Sequence, residues 1–186
     1  MTSETQPKPG DGFKLNGNTF IFPSGKLGVP YEVGKAARVY QIIKNGSDLY
    51  ALKAFFPDYR TQSNAINAKA LSNYEHLPGL AVANRDAITV NQKAILQKYP
   101  QFENAILMPW VLGESWQNYI LGKKKITLEQ SLSLARELAA VVSELEENGL
   151  AHCDLSNGNF VFSPDFTNVE LVDIEEMYAK EFQEPD

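Results

Sequence analysis

The chain has 186 residues, of which 44% are hydrophobic and 22% charged, and a formal net charge of −6. That length suits one domain, or one domain divided into two small lobes, and the composition is that of a soluble protein able to bury a core. The negative balance argues against nucleic-acid binding, because a phosphate backbone selects basic surfaces.

The basic run at lysines 123–125 reads as a solvated turn before a helix. A single cysteine, Cys153, excludes an internal disulfide and fits a reducing compartment. The chain opens with no charged-then-apolar signal segment, and its longest apolar stretch, residues 105–112, is far too short to span a bilayer. The expectation is a soluble, cytoplasmic protein with neither nucleic-acid nor membrane partners.

Residues 1–12 are polar and rich in Pro, Gly and Thr, which predicts a disordered leader. Residues 20–22 read as a short strand closed by Pro23-Ser24-Gly25. Residues 39–43 and 49–55 are β-rich runs separated by Asn45-Gly46, a hairpin signal because both residues tolerate positive φ. Past Pro57, Ile66, Ala70, Leu71, Tyr74 and Leu77 recur at helical spacing, and Pro78-Gly79 ends that element.

Residues 105–110 read as a buried strand. Thr127 and Gln130 then form a capping box, and Leu128, Leu132, Ala135, Leu138, Val142 and Leu145 form the apolar stripe of a long helix. Gly149 stops that helix at the position after its C-cap. A polar loop follows, then short strands at 160–162 and 169–172. The order predicts an α+β fold of two lobes, a strand-rich one over 13–110 and a helix-rich one over 111–186.

The chemistry concentrates in Gly149-Leu150-Ala151-His152-Cys153-Asp154-Leu155-Ser156-Asn157-Gly158-Asn159-Phe160, between the helix and a strand. An aspartate follows a histidine here, Asn159 lies five residues beyond Asp154, and Asp173 comes fourteen residues later, after an apolar strand. Phosphoryl transfer needs such parts: one carboxylate to orient the attacking hydroxyl, and an amide oxygen with a second carboxylate to hold metal at the phosphates.

The segment plainly resembles the protein kinase superfamily, whose catalytic loop reads H-R-D-L-x-x-x-N and whose metal motif reads D-F-G. Upstream, Tyr50-Ala51-Leu52-Lys53 stands where the family's V-A-I-K strand places the phosphate-pairing lysine. Leu107-Met108-Pro109-Trp110-Val111-Leu112-Gly113 is similar to the hinge that reads adenine with its backbone, with Met108 as gatekeeper. The likeness runs from about Tyr31 to Met177.

The resemblance implies a protein-kinase-like bilobal fold, of bacterial Ser/Thr type, with an antiparallel N-lobe sheet and a partial helical C-lobe. It implies ATP and Mg2+ as cofactors and a protein hydroxyl as substrate. Asp154 and Lys53 would be catalytic, and Asn159 and Asp173 would hold metal. Gly34, Val39, Ala51, Lys53, Met108, Trp110 and Val111 would bind nucleotide. His152 is expected to bond the backbone near Asp173, and Cys153 is not read as a nucleophile because chain neighbours seldom face each other.

The chain also departs from the family. The glycine-rich loop falls on Glu32, Gly34 and Ala37, so one glycine of three survives. Between Lys53 and Arg85 the carboxylates are Asp58 and Glu75, one too close and one at the helix end, so Asn67 or Asn64 stands where a lysine-pairing glutamate is expected. Ser156 replaces a lysine, Cys153 replaces the arginine that reads a phosphate, and Asp173-Ile174-Glu175 replaces D-F-G.

The chain ends thirteen residues past Asp173, before an activation segment. That predicts a partner, or self-association, covering an incomplete C-lobe. Two further readings stay open: a pseudokinase that binds nucleotide or scaffolds without turnover, and a small-molecule kinase of the aminoglycoside or choline type, which Glu175 favours.

Overall fold

A computed structural model describes residues 5–179 and divides them into two units. The first comprises 5–69 and 85–110, the second 70–84 and 111–179. The architecture is α+β.

In the first unit, β1 (Gly12–Leu15), β2 (Asn18–Ile21), β3 (Tyr31–Val33), β4 (Ala37–Lys44) and β5 (Asp48–Phe55) precede α1 (Gln62–Leu71). β6 (Asp86–Ala87), α2 (Lys93–Lys98) and β7 (Ile106–Pro109) complete it. The strands form one antiparallel sheet in the order β1-β2-β4-β5-β7-β6, with β3 paired to β4. β4 and β5 pair from Ala37↔Phe55 to Lys44↔Asp48. Asn45 and Gly46 do turn the chain as predicted, at φ 50° and 89°, opening a loop of three residues, 45–47.

Alternation along the strands then sorts the side chains. Tyr40, Ile42, Leu52, Ala54 and Leu107 pack into a core with Leu15, Phe20, Phe22, Tyr99 and Phe102. Phe22, fully buried, touches the rings of Tyr40, Tyr99 and Phe102 at centroid distances of 5.8, 6.1 and 6.0 Å. Burying such a ring contributes about 1.5–3 kcal/mol, and favourable ring pairs add about 0.5–1.5 kcal/mol each.

The disorder expected of residues 1–12 is not what residues 5–12 show. Residues 1–4 lie outside the described residues, but from residue 5 the chain is tied down. The Gly10 amide donates to Phe22 O at 2.9 Å, and Phe22 N donates to Asp11 O at 2.8 Å. The Asp11 carboxylate accepts from Lys98 Nζ at 2.9 Å, Tyr99 OH at 2.7 Å and Lys8 N at 2.9 Å. Low hydrophobicity signals disorder only when no distant partner exists, and here two partners lie in α2 and just after it.

The second unit contains β8 (Glu114–Ser115), α3 (Trp116–Leu121), α4 (Leu128–Glu147), β9 (Leu150–Ala151), β10 (Phe160–Phe162), β11 (Val169–Leu171) and β12 (Tyr178–Ala179). β10 pairs with β11 and β8, and β12 pairs with β9. Residues 70–84, expected in the first lobe, belong here. Gly79 O accepts from Leu171 N at 2.8 Å, and Glu170 Oε2 accepts from Ala81 N at 2.9 Å. These bonds join segments nearly a hundred residues apart, so no local signal could assign them.

The α4 capping box forms as predicted: Gln130 N donates to Thr127 Oγ1 at 3.2 Å and Thr127 N to Gln130 Oε1 at 2.9 Å. Gly149 ends the helix at φ 68°. The apolar stripe holds in part: Leu145 is buried and Leu138 half-buried, but Leu128, Leu132, Ala135 and Val142 are exposed, and the helix buries Leu134 and Val141 instead. α4 is apolar on two sides, and periodicity cannot say which one the fold covers. No helix among the described residues is long and apolar enough to cross a membrane.

Candidate functional site

Each unit carries its own share of the residues singled out from the sequence. In the first, register places Val39 opposite Lys53 and Ala51 opposite Met108. All four point away from the aromatic core, because Tyr40, Leu52 and Leu107 alternate with them into it. Lys53 is only 7% exposed, with Nζ 5.7 Å from the centre of the Phe55 ring. A buried ammonium on a rigid central strand is held in one place, which suits a group that must meet an anion.

Gly34 lies in the tight turn between β3 and β4, where its amide donates to Ala37 O at 2.9 Å. A Cβ at Gly34 would meet Ala37 O at 3.7 Å, an ordinary contact, so this turn does not itself require glycine. Trp110 donates its own amide to Leu49 O at 3.1 Å. That amide is spent on the sheet. Val111 begins the longer stretch of the second unit and is half-buried.

Arg85 escaped sequence reasoning. It is 6% exposed, and its Nη2 reaches Met108 Sδ at 3.5 Å, which puts a second buried cation beside the expected gatekeeper. A charged residue in a short loop before a two-residue strand gives no local sign of such burial. α1 contains no carboxylate. Asn67 does lie on it, and its buried Oδ1 has no hydrogen-bond partner among the described residues.

In the second unit, the loop from β9 to β10 carries the polar set. Asn159, 8% exposed, donates Nδ2 to Asp154 O at 2.8 Å and to Asp154 Oδ2 at 2.9 Å. Its backbone carbonyl accepts from Val172 N at 2.9 Å. Buried His152 bonds Val172 O through Nε2 at 3.0 Å, as expected of a residue bracing the segment before Asp173. Because that carbonyl can only accept, Nε2 is the donor; Nδ1 has no hydrogen-bond partner among the described residues. Ser156 N donates to Asp154 O at 2.9 Å, and Gln117 N at the start of α3 donates to Asn157 O at 2.8 Å.

The result is a braced loop that presents the exposed Asp154 carboxylate and is bonded through Asn159 to the segment after β11 that carries the exposed Asp173. Cys153 and Asp173 both adopt left-handed backbone, at φ 63° and 56°. Cys153 is exposed, and its Sγ bonds the nearby Ala151 carbonyl at 3.5 Å.

Among the described residues no three His, Cys, Asp or Glu side chains group into a metal cage. Mg2+ does not need one, since it usually takes one or two protein oxygens and completes its shell with water and phosphate. Asn159 commits its amide nitrogen to Asp154, which turns Oδ1 away as a hard oxygen donor, and the Asp173 carboxylate follows Val172 directly. The donor chemistry fits that ion.

The chain matches no protein-family model and no curated protein.

Proposed function

We propose that the two units are the lobes of a protein-kinase-like fold that binds Mg-ATP and transfers its γ-phosphoryl group to a serine or threonine hydroxyl of a protein. The observation that carries this reading is Asn159. It holds the Asp154 carboxylate through its side chain and the residue before Asp173 through its backbone, so proposed base and metal ligands share one framework. Strand placement of Lys53 beside Val39 and Ala51 supports it from the other unit.

In this reading Lys53 pairs with the nucleotide phosphates, and Val39, Ala51 and Met108 pack against the base. Asp154 accepts the proton of the substrate hydroxyl as its oxygen bonds the γ-phosphorus and the bond to the departing ADP oxygen breaks. Asn159 and Asp173 would hold Mg2+, which when bound supplies charge neutralisation at the phosphates.

Calorimetry with the chain should show ATP binding on the order of 0.1 mM, within the usual range of enzyme substrate constants. Lys53→Met and Asp173→Asn should each weaken it, the second only when magnesium is present. Asp154→Asn should leave nucleotide binding intact and abolish transfer to a generic protein substrate. Undetectable binding to a folded chain at millimolar nucleotide would end this reading.

One observation favours a second reading, a nucleotide-binding pseudokinase. α1 offers no carboxylate with which to fix Lys53 for turnover, and Asn67 supplies at most a neutral oxygen. Binding without transfer in the calorimetric and kinase assays would select it.

A further inference from the structure

α4 exposes a second apolar line. Leu128 is 77% exposed, Leu132 47% and Val142 40%, and Ala135 and Ala139 between them are exposed as well. These five positions are separated by steps of four, three, four and three residues. At 100° per residue they fall within about 40° of one line, roughly 120° around the helix from Leu134, Val141 and Leu145. Such spacing is that of a two-helix seam. A groove of about 480 Å³ lies at its N-terminal end, lined by Leu128, Glu129, Leu132, Ser133 and Arg136.

The ends of this seam carry opposite charge. Lysines 123–125 lead into α4, with Lys124 bonded to Glu114 at 2.6 Å and Lys123 and Lys125 exposed. Glu144, Glu146 and Glu147 close it. A surface that is basic at one end, acidic at the other and apolar between is complementary to itself when reversed.

We propose that a second copy of this chain docks on the seam, α4 against α4 and antiparallel, about a two-fold axis level with residue 137. In that register Ala135 of one copy faces Ala139 of the other, and the small side chains let the backbones approach at the crossing. Leu132 faces Val142 on either side, and Leu128 covers the aliphatic stem of Glu146. Lys123 and Lys125 come beside the acidic end of the other helix, and the two helix dipoles oppose. A parallel pair would stack lysine on lysine and glutamate on glutamate. The contact is small for a stable interface, which places self-association at about 10–100 µM. Nothing in it depends on phosphotransfer.

Sedimentation velocity of the 186-residue chain, from about 1 to 300 µM around the expected constant, should show monomer–dimer exchange that weakens in high salt. Leu132→Lys and Val142→Glu should each weaken association at least about tenfold, with thermal melts of the exposed-site variants unchanged. The double variant L132K/V142E should recover it, because each new lysine meets the new glutamate of the other copy only in the antiparallel register. A monomer at every concentration overturns the proposal. So does a dimer indifferent to both substitutions, or a double variant weaker than either single one.

Discussion

The non-glycine residues with left-handed backbone differ sharply between the two units. In the first they are Asn16, Asn45 and Asn104, residues whose short amides tolerate positive φ. In the second they are Lys123, Cys153, Phe166 and Asp173. Left-handed backbone costs an ordinary residue about 1–2 kcal/mol, and only surrounding structure can hold it there. Phe166 is held by packing: its ring stacks on Phe162 at 4.9 Å and meets Tyr119 edge-on at 5.8 Å. Cys153 is exposed and has no such packing, so the bonds of its neighbours His152 and Asp154 must hold it. The first unit is a locally consistent sheet, whereas the second stores strain in the two bonded segments that present Asp154 and Asp173. Strain of this kind clusters where geometry serves chemistry.

The largest expected effect tests the sheet. Phe22→Ala removes a fully buried ring that touches those of Phe13, Tyr40, Tyr99 and Phe102, and should destabilise the first unit by about 3–5 kcal/mol in urea unfolding. A loss below about 1 kcal/mol would mean that this core is not what supports the Lys53 strand.

A smaller effect of opposite sign tests the loop. Cys153→Asn keeps a small side chain while lowering the left-handed penalty, and should raise stability by about 0.5–1 kcal/mol. Melting of the variant against the parent measures it. An unchanged or lower melting temperature would show that the backbone at this position carries no strain.

The smallest concerns the N-terminal tie of the first unit. Hydrogen bonds from Lys98, then the Lys8 amide and Tyr99, hold the Asp11 carboxyl at a pKa of about 2, below its ordinary 3.8. A depressed folded-state value means that its contribution is complete above about pH 4 and fades as pH falls towards 2. Asp11→Asn should therefore flatten the acid limb of the stability curve. At neutral pH it should cost about 1 kcal/mol or less, since the pair is partly exposed and solvent screens it. An acid limb of unchanged steepness would place the responsible carboxylates elsewhere.

What could be read from the sequence was local. Asn45-Gly46 specifies its turn through two backbone preferences, Thr127 and Gln130 cap α4 across one helical turn, and Gly149 supplies the conformation that ends it. His152, Asp154 and Asn159 were legible because their spacing is itself the framework, with Asn159 reaching back five residues to Asp154. Tertiary structure decided everything that depends on a partner far along the chain. Residues 70–84 join the second unit through Gly79 and Glu170, Asp11 is pinned by Lys98, and Arg85 is buried against Met108. Most of all it decided which side of α4 is covered. A helix apolar on two lines satisfies periodicity either way, and only the packing around Leu134, Val141 and Leu145 selects one.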